Sequence, residues 1–600
     1  MSGVVSRRCL FHSGFIRYQA IPHSSHNTNF PEGAFMSAPS HGKLAPTFHE
    51  AISSTLEALS RTQVIERLWA KDHRLWKPDP KEITDRLGWL TVHDQMRQQL
   101  ENLRRCVSAA KDMRITDVVL LGMGGSSLGP EVLRTSFGPQ KAFPRFWVLD
   151  STVPGWIRRV TDAMTPARTL FLVASKSGGT IEVMSLFAHF WSLVTKAKGN
   201  HGGKQFVAIT DPGTGLEKMA EDYGFGQTFT NPADIGGRYS VLSLFGLVPA
   251  ALLGLNIPRL LDRATSMVER CRAHTVIELN PGAYLGAAMG GLAKAGRDKV
   301  TVIASPSLST FGLWVEQLLA ESTGKEGTGL IPVAQEPVLA PTAYGTDRFF
   351  VYLRLKGEKN LVLDRHVQAL TKARHPVLQI DLHDRYDLGA EFFRWEFATA
   401  IAGHVLSIHP FDQPNVQESK DNTNRVLGIF QSTGRLPEQA SSNPKQAAQD
   451  LSIHLQAGAY VSVLAYTTPS RAFEVAVRRL RKVLMSQHHI TTTFGYGPRY
   501  LHSTGQLHKG GPNTGIFLEL VDRMTPDVAI PGKPFSFGTL ARAQAAGDVE
   551  SLRAHHRYAI RVQLRHNQAA TVNAIAAALA QARSPRREAT TKKRRRRSGR

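Results

Sequence analysis

The chain has 600 residues, 20 % charged and 42 % hydrophobic, an ordinary balance for a soluble globular protein of several domains. Its net charge of +24 would suit a nucleic-acid partner, but +9 of it sits in residues 583–600, where no aromatic residue interleaves with the cations as a base-stacking site would require. Cys9, Cys106 and Cys271 lie too far apart for a metal or redox motif, which fits a reduced cytoplasmic compartment.

Residues 1–35 carry Arg7, Arg8 and Arg17 with no acid before Glu32, as a transit-like leader or an over-extended start would; 1–47 are expected to be a disordered leader. An apolar stripe through Leu56, Leu59, Val64 and Leu68 predicts helices over 48–110. Strand–loop–helix units follow, with apolar runs at 118–121, 146–149, 170–173 and 206–210, the pattern of a parallel sheet wrapped by helices. Ligands of such sheets sit beyond the carboxyl ends of the strands.

Two of those ends are rich in small and hydroxylated residues. Residues 170–180 read Leu-Phe-Leu-Val-Ala-Ser-Lys-Ser-Gly-Gly-Thr, a buried strand emptying into a loop at a helix N-terminus. Free amides, the positive helix end and the hydroxyls of Ser175, Ser177 and Thr180 beside Lys176 suit a phosphate; an ordinary polar turn is the alternative. The order of a Walker loop is absent. After the first strand, Gly122-Met123-Gly124-Gly125-Ser126-Ser127 lacks the third glycine of a dinucleotide fingerprint, and its amides and hydroxyls suit a single phosphate better.

Gly236-Gly237-Arg238 allows close backbone approach to a ligand and fixes a guanidinium that could stabilise an oxyanion, or could instead pair with Asp234. The charge-free stretch 239–258 is long enough for a membrane span, but Gly246, Pro249, Gly254 and Asn256 interrupt it and a buried core helix is expected. Runs at 300–304, 349–353 and 377–380 predict a second sheet. Between them Glu321 lies on a partly apolar helix, where desolvation could make it a base. Gln413 and Lys420 would share a helix face beyond Pro414. Residues 432–449 read as a linker or surface loop, and strands at 459–466 and 490–494 bracket a helix carrying Phe473, Val477, Leu480 and Leu484. His502 and His508 stand in a glycine loop without a carboxylate or cysteine at ligand spacing, so no metal is expected. Residues 548–582 have a helical pattern. The basic tail 583–600 is expected to be disordered, with at most weak polyanion binding.

Together these segments resemble the glucose-6-phosphate isomerase family, built from two sugar-isomerase (SIS) domains. The resemblance rests on Gly124-Gly125-Ser126-Ser127-Leu128-Gly129-Pro130, Ser175-Lys176-Ser177, Gly236-Gly237-Arg238-Tyr239-Ser240, Glu321-Ser322-Thr323-Gly324-Lys325, and Pro410-Phe411-Asp412-Gln413 through Lys420, within roughly residues 50–530. The stretches Arg67-Leu68-Trp69-Ala70-Lys71-Asp72-His73 and His502-Ser503-Thr504-Gly505-Gln506-Leu507-His508 are similar to the isomerase half of transaldolase–isomerase fusions. A transaldolase barrel of at least ~200 residues has no room before Arg67, so isomerase activity alone is expected. Ser127 stands where the family has Asp. The ring-opening histidine, usually placed before the Phe-Asp-Gln motif, is displaced to the C-terminal side.

The resemblance implies an α/β chain of two doubly wound parallel-sheet SIS domains, 111–275 and 276–540, the second with insertions, followed by C-terminal helices at 541–582. It implies interconversion of glucose 6-phosphate and fructose 6-phosphate, in glycolysis and gluconeogenesis, through an enediolate and without a cofactor. Glu321 would be the base, Arg238 the stabiliser of the developing charge, and Lys420 with His502 (or its rival His508) the ring opener. Gly125, Ser126, Ser175, Lys176, Ser177, Thr180 and Gly237 would hold the phosphate end, and Gln317 and Gln413 the hydroxyls. It implies a homodimer in which a neighbour's side chain completes each site. An isomerase of another hexose phosphate, such as mannose 6-phosphate, and a non-catalytic sugar-phosphate sensor using the basic tail are the alternatives.

Overall fold

Apolar runs bounded by glycine, serine and aspartate set the strands of the chain, and the helical stretches between them force parallel pairing. A computed structural model describes residues 46–582; residues 1–45 of the expected leader and the whole basic tail lie outside the described residues. Three parallel sheets result. The first contains β1 (Asp117–Gly122), β2 (Arg145–Leu149), β3 (Thr169–Ala174), β4 (Phe206–Thr210) and β5 (Gln227–Thr230), in the order β2-β1-β3-β4-β5. The second contains β6 (Lys299–Ala304), β7 (Ile331–Val333), β8 (Arg348–Leu355) and β9 (Val377–Leu382), ordered β7-β6-β8-β9. The third contains β10 (Tyr460–Tyr466), β11 (Thr491–Tyr496), β12 (Gly515–Val521) and β13 (Tyr558–Gln563), ordered β11-β10-β12-β13.

All three sheets are wound alike. The chain enters at an inner strand, steps to one edge, then returns to build on the other side. The order therefore reverses between β1 and β3, between β6 and β8 and between β10 and β12, and a crevice opens at the carboxyl ends of each pair. In the first sheet β1 is registered on both neighbours, Val119 opposite Trp147 and Phe171. Alternate side chains enter separate cores: Val118 and Leu120 join a large core with the Leu244–Leu252 and Leu388–Val405 helices, while Val119 and Leu121 pack with Phe171, Leu186 and Phe190.

The α/β class with parallel sheets is as expected; the number of sheets is three, where two were expected. The stretch read as insertions and C-terminal helices builds the third. β12 is buried at every position and β13 follows the Phe537–Ala554 helix, ahead of a last helix, Gln568–Gln581. A continuous apolar run such as 515–521 has no alternation to separate strand from buried helix, and β5 and β7, at four and three residues, are too short to show a pattern. Residues 432–449 are also only partly loop, because Asn443 caps the Pro444–His454 helix through its side chain. Within 239–258 the Leu244–Leu252 helix is wholly buried. No helix among the described residues is long and apolar enough to cross a membrane.

Candidate functional site

The crevice between β1 and β3 is bordered by the two hydroxyl-rich loops. After β3, the Ser175 amide donates to the Ile209 carbonyl at 3.0 Å and the Gly178 amide to the Ser175 carbonyl at 3.2 Å, closing a tight loop before the Ile181–Lys198 helix. Gly178 has φ +70°, and a Cβ there would fall 2.8 Å from Thr214 Cβ, so only glycine fits. The Ser175 and Thr180 hydroxyls meet at 3.0 Å. A cavity of about 370 Å³ opens here, and its lining includes Ser177, Thr180, Glu182, Lys420, His502 and Lys533.

Lys176 stands apart from this cavity. Its ammonium group pairs with the Asp211 carboxylate and donates to the Ala233 carbonyl at 3.2 Å, so its charge is spent on the neighbouring strand end. The cations that line the cavity besides His502 are Lys420 and Lys533. Lys420 lies on the Pro414–Thr433 helix expected beyond Pro414, but Gln413 precedes that helix with non-helical backbone and does not share its face with Lys420.

The loop after β1 touches a second glycine pair. A Cβ on Gly125 would lie 1.9 Å from the Gly237 carbonyl oxygen, and one on Gly124 would lie 2.6 Å from the His502 carbonyl. Three chain segments remote in sequence therefore meet at backbone distance, with Ser126 buried between them. Ser127 donates to the Gly124 carbonyl at 3.2 Å, which settles the loop without the family's aspartate. Gly125→Ala is expected to push these segments apart and lower turnover by about 10²-fold while the far-ultraviolet circular dichroism is retained, since a shift of about 1 Å in a catalytic constellation has that cost.

Arg238 is almost fully buried and saturated. Its Nε donates to Ser322 Oγ at 2.9 Å, Nη1 to Gln413 Oε1 at 2.7 Å, and Nη2 to the carbonyls of Pro410 and Asp412 at 2.8 and 2.9 Å. The alternative pairing with Asp234 is replaced by this set. Gln413 is thereby turned onto Arg238, and it is absent from the cavity lining. Nη1 also lies 3.5 Å from Glu321 Oε2, an ion pair longer than a hydrogen bond. Burial pushes the Glu321 carboxyl above its ordinary range, and Arg238 and the Gln317 amide only partly offset that. Gln317 Nε2 donates both to Glu321 Oε2 at 3.1 Å and to the His502 carbonyl at 3.0 Å, tying the acid to the histidine loop.

His502 Nε2 meets Glu182 Oε1 at 2.8 Å, and Gln544 Nε2 donates to the same oxygen at 2.6 Å. Burial would discharge both partners, but their mutual attraction prevails: the His502 imidazole is held above its ordinary range and the Glu182 carboxyl below its own. The pair therefore favours the charged form of each partner, an imidazolium on a carboxylate. His508 is instead buried between the rings of Tyr500 and Phe517, and burial holds it well below the ordinary histidine range. It cannot serve as a charged proton donor there. Asp150, which a dinucleotide site would need for a ribose, is taken by both ends of the Arg499 guanidinium at 2.7 and 2.8 Å.

Three further residues escaped sequence reasoning, and a fourth, Lys325, was legible only as part of a motif. Glu182, Gln544 and Lys533 line the cavity, and Lys325 donates to Asp412 and to the His409 carbonyl, fastening the Glu-Ser-Thr-Gly-Lys segment to the loop that holds Arg238. Glu182 carried a usable signal. A carboxylate in the first turn of a helix, two residues past an anion-binding loop, repels the anion unless a cation neutralises it. Among the described residues no group of three or more His, Cys, Asp or Glu side chains is placed to hold a metal ion.

The phosphoglucose isomerase family model matches residues 67–336. The glucose-6-phosphate isomerase of Rubrobacter xylanophilus is 31 % identical over 378 residues, covering 55 % of this chain and 87 % of that one. The enzyme of the same name from Carboxydothermus hydrogenoformans is 30 % identical over 366 residues, covering 52 % and 78 %. Among solved structures, a hypothetical protein from Thermus thermophilus is similar in fold with a TM-score of 0.54 and 24 % identity over 64 % of this chain and 99 % of that one. A glucose-6-phosphate isomerase from Chlamydia trachomatis is similar at a TM-score of 0.54 and 17 % identity, over 66 % and 88 %.

Proposed function

This chain belongs to the phosphoglucose isomerase family, and from that premise we propose that it interconverts glucose 6-phosphate and fructose 6-phosphate, a step of glycolysis and gluconeogenesis. The observation that carries the reading is the Gln317 amide, which joins the buried carboxyl of Glu321 to the His502 loop beside a phosphate-sized cradle. A coupled assay started with fructose 6-phosphate tests it: glucose 6-phosphate should form, and no turnover of any hexose phosphate would overturn the reading. Running mannose 6-phosphate in parallel decides the breadth of substrate.

In this mechanism the phosphate binds between the Gly125–Ser126 amides and hydroxyl and the hydroxyls of Ser175, Ser177 and Thr180, with Lys420 and Lys533 supplying charge in place of the diverted Lys176. His502 opens the sugar ring. Its Nε2 is occupied by Glu182, so Nδ1 carries the proton to the ring oxygen, with Lys420 assisting. Glu321 then removes the C2 proton and returns it at C1. Arg238 stabilises the enediolate as charge develops, fixed in advance by Gln413, Ser322 and two carbonyls so that it need not reorganise. Gly237 permits the close approach, and Gln317 aligns the base and binds a hydroxyl. A homodimer and a cytoplasmic location are part of the same proposal; sedimentation of the purified chain tests the first.

Glu182 acts through His502. With Glu182→Gln the imidazole loses the charge that holds its pKa up, so turnover of the cyclic substrate should fall about 10²-fold and its alkaline limb should move to lower pH. The pH–rate profile separates this from a purely structural effect, which would lower the rate at every pH alike.

A further inference from the structure

A second and larger cavity, of about 910 Å³, lies between the second and third sheets and belongs to none of the chemistry above. One wall is the Arg471–His488 helix, which presents Arg471, Arg478 and Lys482 to it. These three are exposed, and their side chains form no ion pair among the described residues. At 1.5 Å rise per residue the three charges are spread over about 16 Å of one helix face. Facing them, Ser309 and Thr310 mark the N-terminal end of the Phe311–Thr323 helix, whose free amides and positive end also favour an anion. Phe494 and Tyr496, edge to face with centroids 4.8 Å apart, add an aromatic wall. Of the acids in the lining, Glu131 and Glu336 are each bound to an arginine, at 2.8 and 2.9 Å, and burial pushes the Glu316 carboxyl up. Glu474, on the cationic helix itself, accepts from the Tyr496 hydroxyl at 3.2 Å; with Arg481 and Arg499 also in the lining, positive charge still outweighs negative.

The cavity is also connected to the isomerase site by two rigid pieces. The Arg499–His502 turn divides the two spaces: Arg499 and Tyr500 line the large cavity, Leu501 and His502 the small one, and Ser503 and Thr504 return to the large one. The Phe311–Thr323 helix contributes Leu313 and Glu316 to the large cavity. Gln317, adjacent to Glu316, holds Glu321 and the His502 carbonyl. We propose that this cavity is a second ligand site, for a small molecule bearing two or more phosphate charges, and that its occupancy is transmitted to Glu321 and His502 through that helix and turn. An anion drawn toward Ser309 and Thr310 would act on the same helix that carries the base, and one lying against Ser503 would act on the histidine's own loop. A polyphosphate fits this site better than inorganic phosphate, because the cations are too far apart for one phosphate to reach them all.

The communication rests on the reading of the isomerase site, whereas the binding does not, so they are tested separately. Enzyme saturated with fructose 6-phosphate is titrated with ATP, and in a second arm with fructose 1,6-bisphosphate, by isothermal calorimetry. At least one probe should bind one equivalent despite the saturated substrate site, the affinity should fall at least about tenfold in the triple variant Arg471→Ala, Arg478→Ala, Lys482→Ala, and it should weaken with added salt. Binding of ATP alone would identify a nucleotide pocket, and of the bisphosphate alone or both a general polyphosphate site. No binding by either probe, binding abolished by fructose 6-phosphate, or equal affinity in the triple variant would overturn the site. In the coupled assay a saturating probe should change kcat at least about fivefold, the low end of ordinary allosteric coupling; binding with unchanged kcat and KM would overturn the communication. Absence of any isomerase turnover would defeat the catalytic reading alone and leave the calorimetric result standing.

Discussion

Glu321→Gln is expected to lower kcat for both sugar phosphates about 10³-fold while leaving KM within a few-fold. The substitution keeps the shape of the side chain and its ability to meet the Gln317 amide, and removes only the capacity to take a proton, a loss that falls within the range measured for general bases. The wild-type enzyme also has a diagnostic pH dependence. Only the ionised carboxylate can accept the C2 proton, so kcat/KM must fall as pH drops through the Glu321 pKa. Because burial raises that pKa, the acid limb should lie above the range of an ordinary glutamate. Exchange of the C2 deuterium of labelled glucose 6-phosphate with solvent is the direct measurement. Near-normal exchange in the glutamine variant would assign the base elsewhere.

Arg238→Leu should have two consequences that share one origin. The guanidinium holds together Ser322, Gln413 and the carbonyls of Pro410 and Asp412, all within a buried region. Removing it leaves those acceptors unpaired and Glu321 without its opposing charge, a change worth roughly 3–5 kcal/mol of stability by comparison with other broken buried pairs. Turnover should fall by about 10²–10³-fold with the loss of a preorganised cation. The acid limb should also move to still higher pH, because Arg238 lowers the Glu321 pKa in the intact protein. Should the leucine variant prove too unstable to assay, Arg238→Lys keeps a charge without the fork geometry and should lose activity with a smaller fall in melting temperature.

Much of this site could be read in the chain because its backbone demands are written in residue types. Gly124, Gly125 and Gly237 announce close approach, and the structure presses these backbones together. Thr180 and Glu182 are separated by one residue, yet only the first was read, although the position of the second hinted at a cation. A hydroxyl at a loop end has few purposes, whereas a glutamate in a first helical turn has many until its partner, 320 residues away, is known. Lys176 illustrates the opposite error: its charge suits a phosphate, but nothing local reveals that Asp211 will claim it. His502 and His508 stand six residues apart, one ending the Arg499–His502 turn and the other inside the Gly505–Gly510 helix, and only packing shows one paired to a carboxylate and the other enclosed by aromatic rings. Of the third sheet β10 and β11 were read, but β12 stayed hidden because a parallel strand buried at every position loses the alternation by which strands are recognised.

The histidine, its carboxylate and the amide that steadies them are spread along most of the chain: Glu182 meets His502 across 320 residues and Gln544 across 362. At ordinary elongation rates a ribosome needs roughly 20–70 s to travel from the first of these to the last. Throughout that interval the nascent polypeptide owns a phosphate loop and then a glutamate base, but no imidazolium held at its carboxylate. Incomplete translation products, and fragments clipped ahead of residue 500, are therefore expected to be inert toward hexose phosphates, with catalysis beginning only once nearly the entire message has been read.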